Sequence, residues 1–596
     1  MRLLFAITAI SFIGGICHLH AQTGISLTSD YLKMRMPTGS VRSTNLDSIR
    51  STTALLDSFI IRNNYRLIEK SAESFYIRGY DSLKMQLDRN RWTISKLSEP
   101  NLYMLKKDSL TYIAMLNTQS AQTTFAMKPF SLPVLPQNAS MLKPFVEVNK
   151  IVAKDRSDND QFGQSVAISG NYAVVGVPLD DEDVNGENPI ADAGSAYIFH
   201  LDDSGKWKQL QKIVASERGD GDNFGWSVGI SGNYIVVGAI YEDQDANEMN
   251  TMLDAGSAYV FKRDSTGTWY QLQKIVAAPA SRDGQNLFGY AVAIEGNVIV
   301  VGSPSHSRDL TDDAASNVTD AGALFVFEQY AGKWTQVAKL IAPDRHLGSG
   351  LGNSVSICGS NIIAGALGED HDAQGTNRLE AAGGAYIFER SGGTWAAQKV
   401  VARDRSPHDE FGFSVGISGT YAIVGARSTT ETADEDSEPY TGNAYVFYKD
   451  SDGGWKQMSK INPPDRKGRD QLGTSVGISG DYLIVTARGQ DTDSAGNLTT
   501  DIGAVYVYYL DKSGAWIQTG KLSSSDKVEL DGLGYAAAIS NCTIIATTIV
   551  DAEDANNSNP ITNAGSAYIF TAKECRNDGR CSGRLWPGAK TPRVKN

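Results

Sequence analysis

The chain has 596 residues, of which 41% are hydrophobic, and its formal net charge is −13. This apolar content is enough for a large buried core, whereas the excess of acid argues against an extended nucleic-acid-binding surface. Five cysteines in so long a chain exclude a disulfide framework, and no cluster of cysteine and histidine has the spacing of a zinc site.

Residues 1–21 have the pattern of a secretory signal peptide. Arg2 precedes an apolar run over 3–16, and the tripeptide Leu-His-Ala at the end of the segment is a suitable cleavage site. The apolar run is too short to span a bilayer, and no later stretch is long and apolar enough for a membrane helix. We therefore expect a protein that is secreted, periplasmic or held at the cell surface. The alternative is an apolar first helix of the fold.

Residues 22–125 show no repeat. One face of a short helix near 48–61 is predicted from the spacing of Leu55, Leu56, Phe59 and Ile60. The rest mixes short apolar runs with charged turns, so we expect a small α+β or partly ordered module. Four prolines between positions 129 and 144 then indicate a stiff linker over 126–144.

A unit of roughly sixty residues follows and occurs seven times. Each copy opens with Phe-Gly or Leu-Gly, continues with a branched run such as NYAVVGV, and reaches an aromatic strand such as SAYIF. In six copies a fourth strand begins with Trp. The copies start at Phe162, Phe224, Phe288, Leu351, Phe411, Leu472 and Leu533. Four short strands per copy, separated by glycine turns and without a helical period, predict an all-β fold, a seven-bladed β-propeller of four-stranded blades.

The two ends of the repeat region complete one blade. After the last aromatic strand, Ser566–Phe570, no Trp strand follows, but FVEVNKIVA at Phe145–Ala153 aligns with WKQLQKIVA at Trp207. We therefore predict that the N-terminal strand closes the ring of a propeller over 145–571, which removes an exposed sheet edge. An open solenoid is the alternative, and it would need two distinct capping repeats.

The Phe-Gly openings and the Gly-Ala pairs, such as Gly238-Ala239, resemble FG-GAP repeats, which build the β-propeller head of integrin α subunits. The resemblance covers 145–571. Three copies carry Leu in place of the Phe, which preserves an apolar plug. The resemblance implies extracellular binding, often of the cell-adhesion type and often with calcium, but no single activity, because a fold does not fix a function.

Acidic loops between the second and third strands are the candidate calcium sites. Alternating oxygen ligands let one tight loop surround a hard cation, and Asp, Asn and backbone oxygens suit Ca²⁺ far better than zinc. The candidate ligands are Asp181, Asp183, Asn185 and Asp192; Asp243, Asp245, Asn247 and Asp254; Asp370 and Asp372; and Asp491 and Asp493. The calcium loop of the family resembles D-x-[DN]-x-[DN]-G-x-x-D, and the ninth position here is Pro189, Thr251, Arg378 or Thr499 instead of Asp. A solvated, Asx-rich turn is the alternative interpretation.

Other recurring residues favour structural roles. An acid two residues before the Phe/Leu-Gly opening is expected to accept the backbone N–H of the residue two positions later. Neighbouring Asp-Arg pairs are expected to bridge on the surface or between blades. The acids are Asp160, Asp222, Asp409, Asp470 and Asp531. The repeat tryptophans favour packing between blades over sugar binding. Cys358 and Cys542 are expected to be buried, inert thiols, and Cys575 and Cys581 are close enough in sequence to bridge.

We expect an exported binding protein that presents the loops of one face to an extracellular protein or a glycan. No catalytic residue is assigned, because the histidines do not occur at one position of the repeat and no nucleophile elbow or phosphate loop is present. The alternatives are an enzyme acting on polysaccharide or phosphoester, which would gather perturbed carboxylates or a His in the channel, and a lectin with exposed aromatics between blades. The basic tail, 572–596, is expected to be solvated.

Overall fold

The computed structural model describes eleven strands within residues 24–130, and then residues 145–429 and 440–572. The chain divides into two compact units, over 1–141 and 142–596. The predicted signal peptide and residues 573–596 of the predicted tail lie outside the described residues.

The strands described in the first unit form antiparallel sheets. Their bounds are β1 (Gly24–Thr28), β2 (Tyr31–Arg35), β3 (Val41–Asn45), β4 (Ile60–Ile61), β5 (Arg66–Ser71), β6 (Ser74–Arg78), β7 (Met85–Gln86), β8 (Trp92–Lys96), β9 (Leu102–Lys107), β10 (Leu110–Asn117) and β11 (Thr124–Phe130). The sheet orders are β1-β2-β3, β5-β6-β11-β10-β9-β8 and β4-β7. Of the helix predicted near 48–61, residues 48–59 lie outside the described residues, and Ile60–Ile61 is a strand. The last strand, β11, extends into the predicted linker over 126–144.

The second unit contains seven four-stranded antiparallel sheets, as predicted for the blades of a propeller. The strand before the first repeat is β12 (Val146–Ile151). Blade 1 has β13 (Ser165–Ser169), β14 (Tyr172–Val177), β15 (Ser195–Leu201) and β16 (Trp207–Ile213), and blade 2 has β17 (Phe224–Ser231), β18 (Tyr234–Ala239), β19 (Ser257–Arg263) and β20 (Trp269–Ile275). Blade 3 has β21 (Ala291–Glu295), β22 (Val298–Ser303), β23 (Ala323–Tyr330) and β24 (Lys333–Leu340), with one short 3₁₀ turn at Ala314–Ser316.

The remaining blades have the same order of strands. Blade 4 has β25 (Val355–Cys358), β26 (Asn361–Ala366), β27 (Gly384–Ser391) and β28 (Thr394–Val400), and blade 5 has β29 (Ser414–Ser418), β30 (Tyr421–Ala426), β31 (Asn443–Lys449) and β32 (Trp455–Ile461). Blade 6 has β33 (Leu472–Ser479), β34 (Tyr482–Ala487), β35 (Ala504–Leu510) and β36 (Trp516–Leu522), and blade 7 has β37 (Ala537–Ser540), β38 (Thr543–Thr548) and β39 (Ser566–Thr571).

The ring is closed by the strand that precedes the first repeat. β12 pairs antiparallel with β39 and forms the outer strand of blade 7, in the order β12-β39-β38-β37. Val146 lies opposite Thr571 and Ile151 opposite Ala567. The inner strand β13 of blade 1 packs on β37 of blade 7, as it also packs on β17 of blade 2. Both the number of blades and the predicted closure are therefore confirmed.

Glycine in the repeat motif permits close contact between neighbouring blades. A Cβ at Gly176, in the second strand of blade 1, would lie 1.9 Å from the carbonyl oxygen of Gly225, in the Phe-Gly opening of blade 2. Gly225 itself has φ 101°, which a residue with a side chain rarely adopts. In blades 2 to 6 the opening glycine lies against a glycine in the second strand of the preceding blade, whereas in blades 1 and 7 it lies against Thr547 and Thr486.

The core lies between the blades. The second strands are almost fully buried, and so is the aromatic segment of each third strand, such as Tyr197 and Phe199, on which Phe162 packs. Five of the six repeat tryptophans are buried; Trp395 is half-buried. This agrees with the packing role predicted for them. A continuous branched run is expected of strands that are covered on both faces.

Two cysteines differ from the prediction. Cys358 ends β25, and Cys542 lies in the turn between β37 and β38. Both are disulfide-bonded, so the prediction of inert thiols was wrong. Disulfide bonds persist in oxidising compartments and are rare in reducing ones. Cys575 and Cys581, which were expected to bridge, lie outside the described residues.

Candidate functional site

One end of the propeller carries almost all of its long loops. Because the strands of each blade form an antiparallel meander, the loop between the second and third strands emerges at the same end as the segment that joins one blade to the next. We call the loop between the second and third strands of a blade the acidic loop. The connection from one blade to the next is the inter-blade segment, and the end of the propeller that carries both is the acidic face.

Large apolar side chains are exposed on the acidic face. Among the described residues, seven such side chains are at least 60% exposed, and six of them lie on this face: Met249, Leu253, Leu310, Leu347, Leu498 and Leu530. The seventh, Tyr330, lies at the opposite end. The acidic face therefore combines carboxylates with exposed aliphatic groups.

The third-position carboxylates of the predicted calcium motif close their own loops. Asp183 Oδ1 accepts the N–H groups of Asn185 at 2.8 Å and Glu187 at 3.1 Å, and its Oδ2 accepts the amide of Asn188 at 2.7 Å. These bonds hold the pKa of Asp183 below its ordinary range. The same kind of turn is formed by Asp245, Asp372 and Asp493. These carboxylates therefore have the geometry of the Asx-turn interpretation.

The first acid of the motif is close to the acid that ends the loop. Asp181 Oδ1 accepts the N–H of Asp192 at 2.8 Å. Burial, followed by the charges of Asp181 and Asp220, raises the pKa of Asp192. Equivalent pairs are Asp243 with Asp254 in blade 2 and Asp491 with Asp501 in blade 6. The structure thus brings two carboxylates together in each of three blades.

Blade 4 neutralises its first acid internally. Arg378 stands at the ninth position of this loop, and its guanidinium lies 2.8 Å from Asp370 Oδ2. Asp370 Oδ1 also accepts the N–H of Ala381 at 2.7 Å. These partners hold the pKa of Asp370 low despite its partial burial. In this blade the departure from the calcium motif supplies a cation from the chain itself.

Arginine side chains bind the backbone of the acidic loops. Arg282 of the inter-blade segment donates to the carbonyl oxygens of Asp243 at 2.5 Å and Asn250 at 2.7 Å. Arg156, Arg218, Arg345 and Arg405 make the same contact in blades 7, 1, 3 and 4. Each arginine thus binds the acidic loop of the blade that its segment leaves, and the neighbouring aspartate, such as Asp344, pairs with the lysine of the next blade. Arg218 is the first residue of an Arg-Gly-Asp tripeptide at 218–220, and this contact gives the arginine a structural role.

A lysine of the outer strand forms an ion pair in every blade. In six blades it reaches the segment that precedes the blade, and in blade 3 Lys339 pairs with Asp312 of its own acidic loop. Lys212 Nζ lies 2.9 Å from Asp155 and 2.9 Å from Asp180, and Asp180 also accepts the Tyr197 hydroxyl at 2.8 Å. The equivalent lysines are Lys150, Lys274, Lys339, Lys399, Lys460 and Lys521. No role was predicted for this lysine from the sequence. Its occurrence at the same place in every outer strand, directly before a buried apolar residue, was the signal of a structural ion pair.

The acids before the Phe/Leu-Gly opening are buried. Asp160, Asp222, Asp409 and Asp470 each accept the N–H of the residue three positions earlier at 2.7 Å. The backbone role is as predicted, although the donor precedes the acid. Burial raises the pKa to about 7 for Asp160, Asp222 and Asp470, to about 6 for Asp409 and to about 8 for Asp531. They lie one to a blade rather than as a converging pair.

The fit of the acidic loops to calcium is incomplete in this conformation. Among the described residues, one group of three His, Cys, Asp or Glu side chains brings its ligand atoms within 4.8 Å of one another, and it is His346, Glu369 and His371. The predicted loops contribute pairs such as Asp181 with Asp192, and the oxygens of Asp183 are engaged within the turn. Calcium binding in these loops stays a prediction.

A shallow pocket of 560 Å³ lies on blade 1 between the acidic loop and the outer strand. Asn185, Leu210 and Lys212 are among the residues that line it. Its lining includes no histidine and none of the five aspartates with a raised pKa. An acid and a base that line it, Asp155 and Lys212, are paired with each other at 2.9 Å.

The fold and this face define the class of protein: a closed seven-bladed propeller whose blades meet through Phe-Gly and Gly-Ala motifs. The FG-GAP repeat family matches residues 145–199, 207–261, 269–327, 334–388, 395–447 and 455–508, which together are more than half of the chain. The chain belongs to the FG-GAP repeat family. No curated protein matches it. Among the described residues, no helix is long and apolar enough to cross a membrane.

Proposed function

We propose that the protein is an exported binding protein whose acidic face docks an extracellular protein. The observation that carries the proposal is the concentration of exposed aliphatic side chains, such as Met249, Leu253 and Leu347, on the face that also holds the acidic loops. Apolar side chains surrounded by charge are typical of protein-binding surfaces.

The chemistry of this face favours a protein with basic groups over a glycan. Sugar sites use exposed aromatic rings, whereas five of the repeat tryptophans are buried and the exposed residues of the face are mainly Met and Leu. The negative charge of the chain would speed association with a basic partner. A glycan partner or a propeller lectin is therefore the second choice, and an enzyme is the third.

Calcium enters the proposal as a stiffener of the loops. In blades 1, 2 and 6 an ion between the paired carboxylates would relieve their repulsion, and its binding free energy would add to the stability of the folded state. The residues that would hold it in blade 1 are Asp181 and Asp192, together with backbone oxygens of the loop.

Binding is tested with a matched pair of triple variants. Met249→Ser/Leu253→Ser/Leu347→Ser removes apolar groups from the acidic face, and Leu210→Ser/Val337→Ser/Met458→Ser removes exposed apolar groups from the outer strands. On an array of extracellular proteins and glycans, the first variant should lose the signals of the wild type and the second should keep them. Equal binding by all three proteins, with unchanged melting curves, would place the binding surface elsewhere.

The calcium component has a separate test. A thermal melt in millimolar calcium should give a higher midpoint than one in chelator, and Asp181→Asn/Asp192→Asn should reduce the difference. Asp370→Asn is the matched control, because Arg378 already neutralises that position. A midpoint that does not respond to calcium would remove the ion from the proposal and leave the docking face intact.

A further inference from the structure

Two histidines and a glutamate meet on the acidic face where blade 3 joins blade 4. His346 lies in the inter-blade segment, and Glu369 and His371 lie in the acidic loop of blade 4. The two imidazole rings stack, with centroids 4.0 Å apart and planes inclined by 24°. One ligand atom from each of the three side chains lies within 4.8 Å of the other two.

We propose that His346, Glu369 and His371 form a binding site for a divalent transition metal, with zinc the best fit. Two imidazoles and a carboxylate, with a fourth position left open, are a donor set that zinc uses in proteins. The same set is a poor calcium site, since calcium prefers oxygen ligands and nitrogen favours the softer metals. The site is therefore distinct in chemistry from the acidic loops of blades 1, 2 and 6.

The spacing of two of the ligand atoms matches that of two ligands of one metal. His371 Nδ1 lies 3.4 Å from Glu369 Oε1 without forming a hydrogen bond to it. The stacked ring of His346 would have to rotate so that its nitrogen points at the same metal. Two ligands of a tetrahedral zinc with bonds of 2.0–2.1 Å are separated by about 3.4 Å. A metal placed between the two atoms would therefore bind both of them at ordinary zinc distances.

The carboxylate is held in place by other groups. Glu369 is fully buried, and its Oε2 accepts the hydroxyls of Ser349 at 3.2 Å and Tyr386 at 3.1 Å. Its Oε1 accepts the N–H of His371 at 2.9 Å and lies 3.1 Å from Lys399 Nζ. One carboxylate oxygen is thus fixed beside the imidazole edges.

The local charge favours a cation. Lys399 Nζ also lies 3.0 Å from Asp344 Oδ2, so one ammonium serves the two carboxylates of Asp344 and Glu369. Within this group of three side chains one formal negative charge is left over, and the Arg405 guanidinium also acts on Glu369. When a metal takes Glu369 Oε1, the ammonium can keep its contact with Asp344.

The imidazoles are specific to this blade. In blade 2 the same network of Lys274 and Glu242 is present, but Gly219 and Gln244 stand where blade 4 has His346 and His371. The blade therefore folds without either ring. His346→Gly and His371→Gln are therefore conservative variants, because each introduces the residue that stands at the same position in blade 2.

The test uses the untagged full chain and each of these two variants, with His408→Gln as a control for an exposed histidine outside the site. All four proteins are dialysed to equilibrium against zinc, and their zinc content is measured by elemental analysis. The wild type and His408→Gln should each hold one more zinc ion per chain than His346→Gly and His371→Gln. Competition with a chromophoric chelator should show that His346→Gly and His371→Gln bind zinc at least roughly tenfold more weakly than the wild type. Cobalt in place of zinc should give the visible absorption of a tetrahedral site only where both imidazoles are present.

The proposal would be overturned if the wild type and His371→Gln bound equal amounts of zinc. It would also be overturned if His408→Gln lost its bound zinc, or if millimolar calcium displaced the zinc from the wild type. Melting curves of the apo proteins show whether a variant has unfolded. Because Asp181→Asn/Asp192→Asn leaves this site intact, its zinc content should equal that of the wild type, whatever the outcome for calcium.

Discussion

The buried carboxyl of Asp470 should make the propeller less stable as the pH rises. Its side chain is 1% exposed, and its Oδ2 accepts the Lys467 N–H at 2.7 Å and the Gln490 amide at 2.8 Å. Burial opposes ionisation more strongly than these bonds favour it, and the nearby Asp491 and Asp465 add to the effect while Lys521 counters it. The pKa of Asp470 is therefore raised to about 7.

The sign of the effect follows from proton binding. Between the ordinary pKa of Asp, about 4, and the raised value, the folded state binds more protons than the unfolded state, so stability falls as the pH increases. For one such group, the free energy of unfolding should fall by about 2–3 kcal/mol between pH 5 and pH 8. Asp470→Asn cannot ionise and should lose this part of the pH dependence.

The assay is urea unfolding at pH 5, 6, 7 and 8, followed by tryptophan fluorescence. The exposed Asp203→Asn serves as the control, and its free energy of unfolding should run parallel to that of the wild type across this range. Burying the new amide of Asp470→Asn lowers the free energy of unfolding by the same amount at every pH, so it does not change the slope of that free energy against pH. A slope equal to that of the wild type would refute the raised pKa.

Two further predictions concern the ion pairs and the closure. Lys212→Met leaves Asp180 buried without its ammonium and should lower the free energy of unfolding by about 3–5 kcal/mol, measured by urea titration, whereas Lys208→Met at an exposed pair should cost less than about 1 kcal/mol. Phe145→Ala removes the ring that packs edge-on against Tyr482 at 5.6 Å, and should cost about 3–5 kcal/mol and speed proteolysis near β12. An unchanged proteolysis rate would show that the closing strand does not depend on this contact.

The sequence predicted the blades well because their determinants are local and repeated. The branched run of β14, the aromatic segment of β15 and the turn glycines occur in every blade, so an error in one copy is corrected by the others. Closure was also predictable, since the one unpaired aromatic strand, Ser566–Phe570, and the one additional strand, Phe145–Ala153, are at opposite ends of the repeat.

The site was harder to predict because it depends on contacts between distant residues. Arg282 donates to the carbonyl oxygen of Asp243, which lies 39 residues earlier in the chain, so no local sequence pattern reveals this contact. Sequence analysis noted its counterparts only as neighbours of aspartate. His346 and His371 have no recognisable metal-ligand spacing, and they meet only because the inter-blade segment returns over the acidic loop.

The repeat itself indicates where function can reside. Positions that every blade needs, such as the lysine of the outer strand, are committed to the fold, because removing one partner leaves a buried charge. Neighbouring positions vary while the fold of the blade stays the same. Gly219 and His346 occupy equivalent positions, and the residues after each first acid also differ from blade to blade. A buried side-chain atom at such a variable position that makes no hydrogen bond, as His371 Nδ1 does, is not required by the fold. Such departures therefore mark the residues to test first for binding in this propeller.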